Sequence, residues 1–317
     1  MCIRDSPNPE AYRDAWSMRV NSEISKDRWS IKPYLRRSSM AFLQHFLPGQ
    51  PLESNDQGSG GLLVNYDLQG ERYSGNLGVH LESMSGSLRE YQDGPTISGS
   101  SFLDATRPPG MHYDYDVTSF MSAFFYDLRF EINSQVRVIH SLRQEFLEYD
   151  YENNHLVGNT KDDGTACGFG GCLYSRPASR KDDFSNTGAR LGIEGDFSQG
   201  MVYAVLSNGF RPPQATELYR LRGGQSIADL DSERLEAFEL GFKGEWFNAA
   251  LYMERTYNCI LRDSEAYNVS DGKTRSRGME LVGYKSFGRN TISTSLGYAM
   301  HEYDFCLLYT SPSPRDL

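Results

Sequence analysis

Apolar and polar residues alternate along most of this chain with a period of two. Phe247, Ala249, Leu251 and Met253 share one parity, and Asn248, Ala250, Tyr252 and Glu254 share the other. Ile292, Thr294, Leu296, Tyr298 and Met300 alternate in the same way with Ser293, Ser295, Gly297, Ala299 and His301. The pattern recurs at Leu77, Val79 and Leu81, at Ala189, Leu191 and Ile193, and at Phe238, Leu240 and Phe242. Such alternation sends successive side chains to opposite faces of a β-strand, and helical periodicity is nearly absent. It predicts about twelve strands, at 15–24, 29–40, 60–68, 74–84, 114–127, 135–148, 187–196, 201–210, 233–243, 246–257, 275–286 and 290–303. At roughly 9–12 residues most of them exceed the ~5–6 usual in soluble sheets and match a membrane-crossing strand.

The connections alternate too. Short polar turns are expected at 25–28, 69–73, 129–134, 197–200, around Gly244 and at 287–289; long connections are expected at 41–59, 85–113, 149–186, 211–232 and 258–274. Strict alternation puts every long connection at one end, as in outer-membrane barrels with short periplasmic turns and long extracellular loops. A soluble sandwich gives no reason for it. Period alone does not say which face is inside. The polar face carries Lys32 and Arg36, then Arg137, Arg143 and Glu145, then Arg190 and Glu194. Facing lipid near the midplane, such charges cost up to ~2–4 kcal/mol each. In a membrane barrel the apolar face must therefore point outward, and the charged face lines a polar lumen.

Composition changes the picture less. A net charge of −10 argues against general nucleic-acid binding. Aromatics make up 13% of the chain, yet no apolar run approaches the ~18 residues of a membrane helix. By composition alone a soluble all-β protein fits better; the strand pattern is what favours a barrel.

The two ends read as foreign. The codons ATG TGT ATA AGA GAC AG encode Met1 to Ser6, and their reverse complement gives Cys306 through Ser311 in one frame. This DNA element resembles a transposon mosaic end used as a sequencing adapter. Residues 1–6 and 306–317 are therefore expected to be adapter-derived, leaving 7–305 as the protein proper, a fragment cut at both ends.

Five cysteines are present, of which Cys2 and Cys306 fall in those end segments. Cys167 and Cys172 sit together in the Gly-rich stretch TACGFGGCLY, which suits a small disulfide in an oxidising compartment. No second Cys or His pair lies nearby to favour a metal site. Cys259 stands alone and reads as an inert, partly buried thiol.

The stretch from Ser207 to Leu281 carries the most specific motifs. Gly209, Phe210, Arg211 and Pro212 end one strand, and Glu217, Leu218 and Tyr219 follow. Ser232 and Glu233 precede a strand holding Glu239, Leu240 and Gly241; Arg277, Gly278, Met279, Glu280 and Leu281 form another. The order resembles the TonB-dependent outer-membrane receptor family, and the likeness extends over most of 7–305. The segments 44–51, 90–95 and 112–117 resemble loop segments of that family. Physically, Gly209 and the Pro212, Pro213 pair take the chain out of the sheet by removing ladder donors. Arg211 is placed to pin the loop base through Glu217, and Arg277 and Glu280 are expected to do the same at the neighbouring hairpin.

The resemblance implies an all-β fold: about twelve strands of a transmembrane antiparallel barrel of about 22 strands, with the plug domain and closing strands absent. A piece of that kind would leave two unpaired edges and is not expected to close alone. It also implies active import across the outer membrane of a Gram-negative bacterium. The partners would be the TonB–ExbB–ExbD complex, engaged through the absent plug, a small-molecule cargo and outer-membrane lipid. The commonest cargo class in the family is a ferric siderophore; cobalamin, haem, a saccharide or a peptide are alternatives. No cofactor is expected, although the cargo can contain iron. Tyr91, His112, Tyr113, Tyr115, Tyr219 and Arg222, read as long-loop residues, are the expected cargo contacts, with membrane-interface anchoring the alternative for the aromatics.

A passive porin or an adhesin shares the alternation and the loop asymmetry but not the paired motifs. An enzyme is not expected, since no GxSxG elbow is present. The six His form no ligand-spaced set: His80 and His301 fall on the polar strand face, and His45, His112 and His155 in loops. The carboxylates of KDDGT and RKDDF read as solvated loop charges, with a Ca²⁺-binding loop the alternative.

Overall fold

The computed structural model describes residues 10–44 and 50–305. His45, most of the 44–51 segment and both expected adapter segments lie outside the described residues. The strands are β1 (Tyr12–Asn21), β2 (Ile24–Lys26), β3 (Trp29–Leu43), β4 (Leu52–Gln69), β5 (Tyr73–Gln92), β6 (Gly110–Glu131), β7 (Val136–Asn153), β8 (Tyr174–Ser175), β9 (Arg180–Phe197), β10 (Gly200–Arg211), β11 (Leu221–Arg222), β12 (Glu233–Gly244), β13 (Phe247–Arg262), β14 (Asn268–Phe287) and β15 (Asn290–Phe305). Two short helices interrupt them, α1 (Ser101–Thr106) and α2 (Ala215–Tyr219). Twelve strands pair antiparallel in chain order from β1 to β15, with β2 beside β3, and β8 pairs with β11 in a separate ribbon.

Every strand expected from the alternation is present, but several run much further. The 60–68 strand is Leu52–Gln69, the 74–84 strand is Tyr73–Gln92, and the 114–127 strand is Gly110–Glu131. A crossing takes only ~9–11 residues, so the upper part of these strands stands clear of the membrane. There neither face meets lipid, and apolar alternation is no longer required. The stretch 52–60 (LESNDQGSG) reads as loop by composition yet holds a full ladder to β3 and β5. As a result two expected long connections contract, 41–59 to 44–51 and 258–274 to 263–267. Those at 93–109, 154–179 and 212–232 remain long.

Cross-strand register aligns the apolar parities into one surface. Val64 faces Val79, Val79 faces Phe124, Leu191 faces Leu206, Leu206 faces Phe238, and Leu251 faces Met279. This face is exposed: Leu206 is 56% and Leu251 55% accessible. The polar parity is the sheltered one, with the Glu82, Glu145 and Glu194 side chains at only 18%, 12% and 12%. That inverts the soluble arrangement and suits a barrel whose outside is lipid. Trp29, Tyr73, Phe130, Phe197, Trp246, Phe247 and Phe287 are all exposed beside the short turns, forming an aromatic girdle at that end.

Charges on the inner face pair across strands. Arg137 donates to Asp196 at 2.5 and 2.9 Å and to Glu194 at 3.2 Å. Arg36 and Tyr34 both bond Glu82, and Tyr203 donates to Glu239 at 2.5 Å.

Candidate functional site

At the end opposite the girdle, the long connections fold inward rather than outward. Pro212 and Pro213 release the chain from β10, and α2 follows at once. Its start is fixed by a capping box between Gln214 and Glu217. Arg211 joins Glu217 at 3.0 Å and Glu233 at 2.7 Å, tying the helix start to both strands that flank the loop. Arg277 and Glu280 do not form the matching pair. They lie three residues apart on β14, so alternation sends them to opposite faces, and Arg277 pairs with Glu302 at 3.6 Å instead.

Four tyrosines of the inner wall receive the loop. Tyr113 Oη donates to the Leu221 carbonyl at 2.7 Å and Tyr149 Oη to the Pro213 carbonyl at 3.2 Å. Tyr151 stacks on Tyr219 with ring centroids 4.2 Å apart, and Tyr115 packs against Tyr151 at 5.3 Å. Tyr219 Oη donates to Asp182 at 2.7 Å. With Leu88, Val117, Leu218 and Leu230 they form the apolar core of the molecule. The 154–179 connection joins the same core. Its Tyr174–Ser175 strand pairs with Leu221–Arg222, and the Cys167–Cys172 disulfide is buried beside it. Gly223 lies so close to the Cys172 carbonyl that any Cβ would clash at 2.0 Å. Arg176 is 1% accessible, and its guanidinium is satisfied by the Leu156, Met111, His112 and Thr160 carbonyls and the Thr160 hydroxyl.

Of the residues expected as long-loop contacts, Tyr219 and Arg222 do lie in the 212–232 connection, and the other four sit in barrel strands. His112, Tyr113 and Tyr115 belong to β6 and Tyr91 to β5, because the strands outlast the membrane. His112, Tyr113, Tyr115 and Tyr219 are buried, held by the partners above; Tyr91 is exposed at 43%. The RKDDF carboxylates lie in β9, where Asp182 is taken by Arg180 and Tyr219. In KDDGT, Asp162 accepts from His155 and the Met111 amide, and Asp163 from Thr165. Among the described residues no group of three or more carboxylate, His or Cys side chains is arranged to hold a metal ion.

Under the folded-in loops the inner wall borders a half-open cavity of about 340 Å³. Arg13, Arg107, Arg220, Arg222 and Arg262 line it against only two carboxylates, Glu53 and Glu90. Both carboxylates are spoken for. Arg220 Nη2 bonds Glu90 and reaches Glu53 at 2.9 Å. Glu53 also accepts from Gln44 at 2.9 Å, and His112 Nδ1 bonds Glu90 at 3.0 Å while its Nε2 donates to the Pro108 carbonyl at 2.9 Å. Burial by itself would raise the Glu90 carboxyl, but the His112 bond and the Arg220 charge outweigh it and bring it down to about 2. Arg107 and Arg222 are in the reverse position. Burial holds both below the ordinary arginine value, and Arg262 pushes Arg222 further down. Arg107 Nε is buried without a hydrogen-bond partner. The cavity thus has surplus positive charge, which an anionic guest would neutralise.

Of the expected contacts, Tyr113 and Arg222 line this cavity and His112 stands behind Glu90. Sequence reading missed Glu53, Glu90, Arg107, Arg220 and Arg262. Inner-face parity, once the strands are drawn to full length, would have flagged Glu53 and Glu90.

A family model described as the TonB-dependent-receptor-like β-barrel matches residues 4–315. The chain belongs to the TonB-dependent receptor family. Solved structures with the same fold as this receptor barrel include the ferric yersiniabactin uptake receptor FyuA from Yersinia pestis, with a TM-score of 0.65 at 12% identity over 92% of this chain and 43% of that one. The copper transporter OprC gives 0.66 at 15% over 92% and 47%. The FrpB iron transporter from Neisseria meningitidis gives 0.64 at 14% over 93% and 46%. The receptor barrel spans less than half the length of these structures. Comparison with curated proteins returns no match.

Proposed function

We propose that this chain is the barrel portion of an outer-membrane importer that takes up an anionic metal chelate, a ferric siderophore foremost, with energy delivered through TonB–ExbB–ExbD in a Gram-negative bacterium. The observation that carries this reading is the arginine surplus of the half-open cavity. A ferric chelate with ionised carboxylate or phenolate donors carries negative charge, and guanidinium forks are suited to it. The similar structures are described as a ferric yersiniabactin uptake receptor, a copper transporter and an iron transporter, which supports a metal-containing cargo. The inward-folded loops support a receptor over an open passive pore. Tyr113 and Arg222 are the proposed contacts from the sequence reading, joined by Arg107 and Arg262; Tyr91 lies on the outer parity beside the inward-facing Glu90 and is not among them.

The test is uptake of radiolabelled ferric chelates by cells whose receptor for this cargo is encoded by the gene containing this barrel. Uptake of an anionic chelate that stops when TonB is deleted supports the proposal. Uptake that persists without TonB overturns active import. Equal preference for a neutral guest such as an uncharged saccharide overturns the anionic-chelate assignment while leaving import intact.

A further inference from the structure

The ladder between β9 and β10 stops at Ala189 and Asn208, but β9 climbs on to Arg180 while Pro212 and Pro213 take β10 inward. Asn208 closes the ladder with its side chain, accepting from the Ala189 amide at 2.8 Å and donating to the Thr187 carbonyl at 3.0 Å. Along a strand, every second residue turns its amide and carbonyl to the same edge. Asp183 and Ser185, in phase with Thr187, therefore present theirs to the edge that β10 has left. Among the described residues no group pairs with them on that edge. β12 stays beyond, with residues 229–232 leading into it, and β9 and this segment flank a slot of about 480 Å³. Where one strand leaves between two neighbours, they stand two strand spacings apart, ~9–10 Å, which is the room one strand takes up.

The slot is acidic. Asp182, Asp183, Asp229 and Asp231 line it against Arg234. Asp182 is taken by Arg180 and Tyr219, but Asp183, Asp229 and Asp231 form no ion pair among the described residues. The rim does not cancel this charge, since Lys181 is held between Glu148 at 3.6 Å and Asp150 at 3.1 Å. Asn186 also lines the slot; it is 6% accessible, and its Nδ2 has no hydrogen-bond partner. A buried donor left bare is costly, so this one points to a guest that brings an acceptor. Height places the slot in water. Asp183 stands fourteen residues up β9 from Phe197 of the girdle. At ~3.3 Å per residue and a tilt of about 40°, that is roughly 35 Å of vertical rise, above an apolar band about 25 Å tall.

We propose that the slot docks an extended, lysine- or arginine-bearing polypeptide segment, added to β9 as a strand. Its backbone supplies the ladder partners that Asp183 and Ser185 lack, and one of its carbonyls accepts from Asn186. Its cationic side chains meet Asp183, Asp229 and Asp231. Charge of either sign guards a bare edge against chance pairing, and carboxylates of one sign also choose the charge of the strand that can enter. A bare metal ion is poorly served, because among the described residues no three carboxylates are grouped to chelate one. A polyamine matches the charges but has no amide or carbonyl for the edge. The slot shares no lining residue with the arginine cavity and does not depend on the import reading.

The experiment is fluorescence anisotropy on the intact receptor that contains this barrel, purified in detergent, with a labelled octapeptide of alternating lysine and threonine. The expected result is saturable binding, at least tenfold tighter than that of the glutamate–threonine octapeptide. A backbone N-methylated lysine–threonine octapeptide keeps the charge and loses the ladder donors, and it should bind at least tenfold more weakly. The Asp183→Asn/Asp229→Asn/Asp231→Asn variant, checked for folding by heat-modifiable electrophoretic mobility, should also lose at least tenfold. Absent binding of the lysine–threonine octapeptide overturns the proposal. Equal binding of the N-methylated form reveals a charge-only patch and overturns it too, and neither outcome needs a variant to fold. Spermine displacing the peptide at comparable concentration reveals a free-cation site and overturns the strand assignment. Unchanged binding in the asparagine variant does the same.

Discussion

Tyr219 and Tyr151 stack at 4.2 Å with an interplanar angle of 16°, one from the loop after β10 and the other from the barrel wall. Tyr219 is fully buried, and its hydroxyl is spent on Asp182 at 2.7 Å. This contact holds the 212–232 connection inside the mouth. Tyr219→Phe removes the donor and leaves a buried carboxylate acceptor short of one bond, a loss of about 1–3 kcal/mol in the local closing of the loop. Hydrogen exchange should speed up across 212–232 while the strands below stay protected. Uniform acceleration throughout the barrel would count against a local role.

Arg220 holds Glu53 and Glu90 together. Arg220→Met leaves two buried carboxylates without their cation, and breaking such a pair costs roughly 3–5 kcal/mol. The same cluster sets a pH dependence. The Glu90 carboxyl lies near 2 in the folded protein, below its ordinary 4.5. A depressed carboxyl contributes stability above the unfolded value and loses it as pH falls through the folded one. The contribution, about 3 kcal/mol, is therefore intact at pH 7 and fades between about pH 4.5 and 2. Loop protection measured over that range should fall in the unmodified protein, and Glu90→Gln should flatten the change.

Arg107→Gln and Arg222→Gln remove cavity charges that form no ion pair, although Glu90 partly offsets the charge of Arg107. Each should weaken binding of an anionic chelate by about tenfold, on the scale of one charge-assisted contact, with little loss of stability. Calorimetric titration at two salt concentrations checks it. Unchanged affinity in both variants would remove the cavity from the cargo path.

Cys167 and Cys172 close a short loop beside the core. Replacing both by Ser should cost about 2 kcal/mol, confined to the 154–179 connection. Limited proteolysis with and without reductant reads this directly, with faster nicking of that segment and an unaltered barrel.

Leu240 faces outward within the apolar band, and its neighbour Glu239 faces inward to Tyr203. Leu240→Arg should destabilise the barrel by about 2–4 kcal/mol in a bilayer. Ala250→Lys, on the inner parity, should be nearly neutral. Urea unfolding in lipid vesicles compares the two, and equal costs would contradict the assignment of faces.

The strand count, the faces and the family were all legible in the sequence because lipid imposes a local rule. Each crossing strand must show apolar side chains at every second position, so Leu251, Leu206 and Val79 disclose their facing without any knowledge of their neighbours. The proline pair after Arg211 and the Arg211–Glu217 contact are equally local. Above the membrane that rule lapses. The polar run 52–60 gave no sign that β3 and β5 would hold it as strand, and His112 and Tyr113 looked like loop residues for the same reason. Only the tertiary structure decided that the long connections fold inward. That outcome rests on contacts between residues far apart in the chain: Tyr219 with Tyr151 and Asp182, and Arg220 with Glu53 and Glu90. Periodicity reports which way a side chain points, but a buried partner far along the chain is chosen by packing and charge neutralisation, and neither leaves a repeat in the sequence.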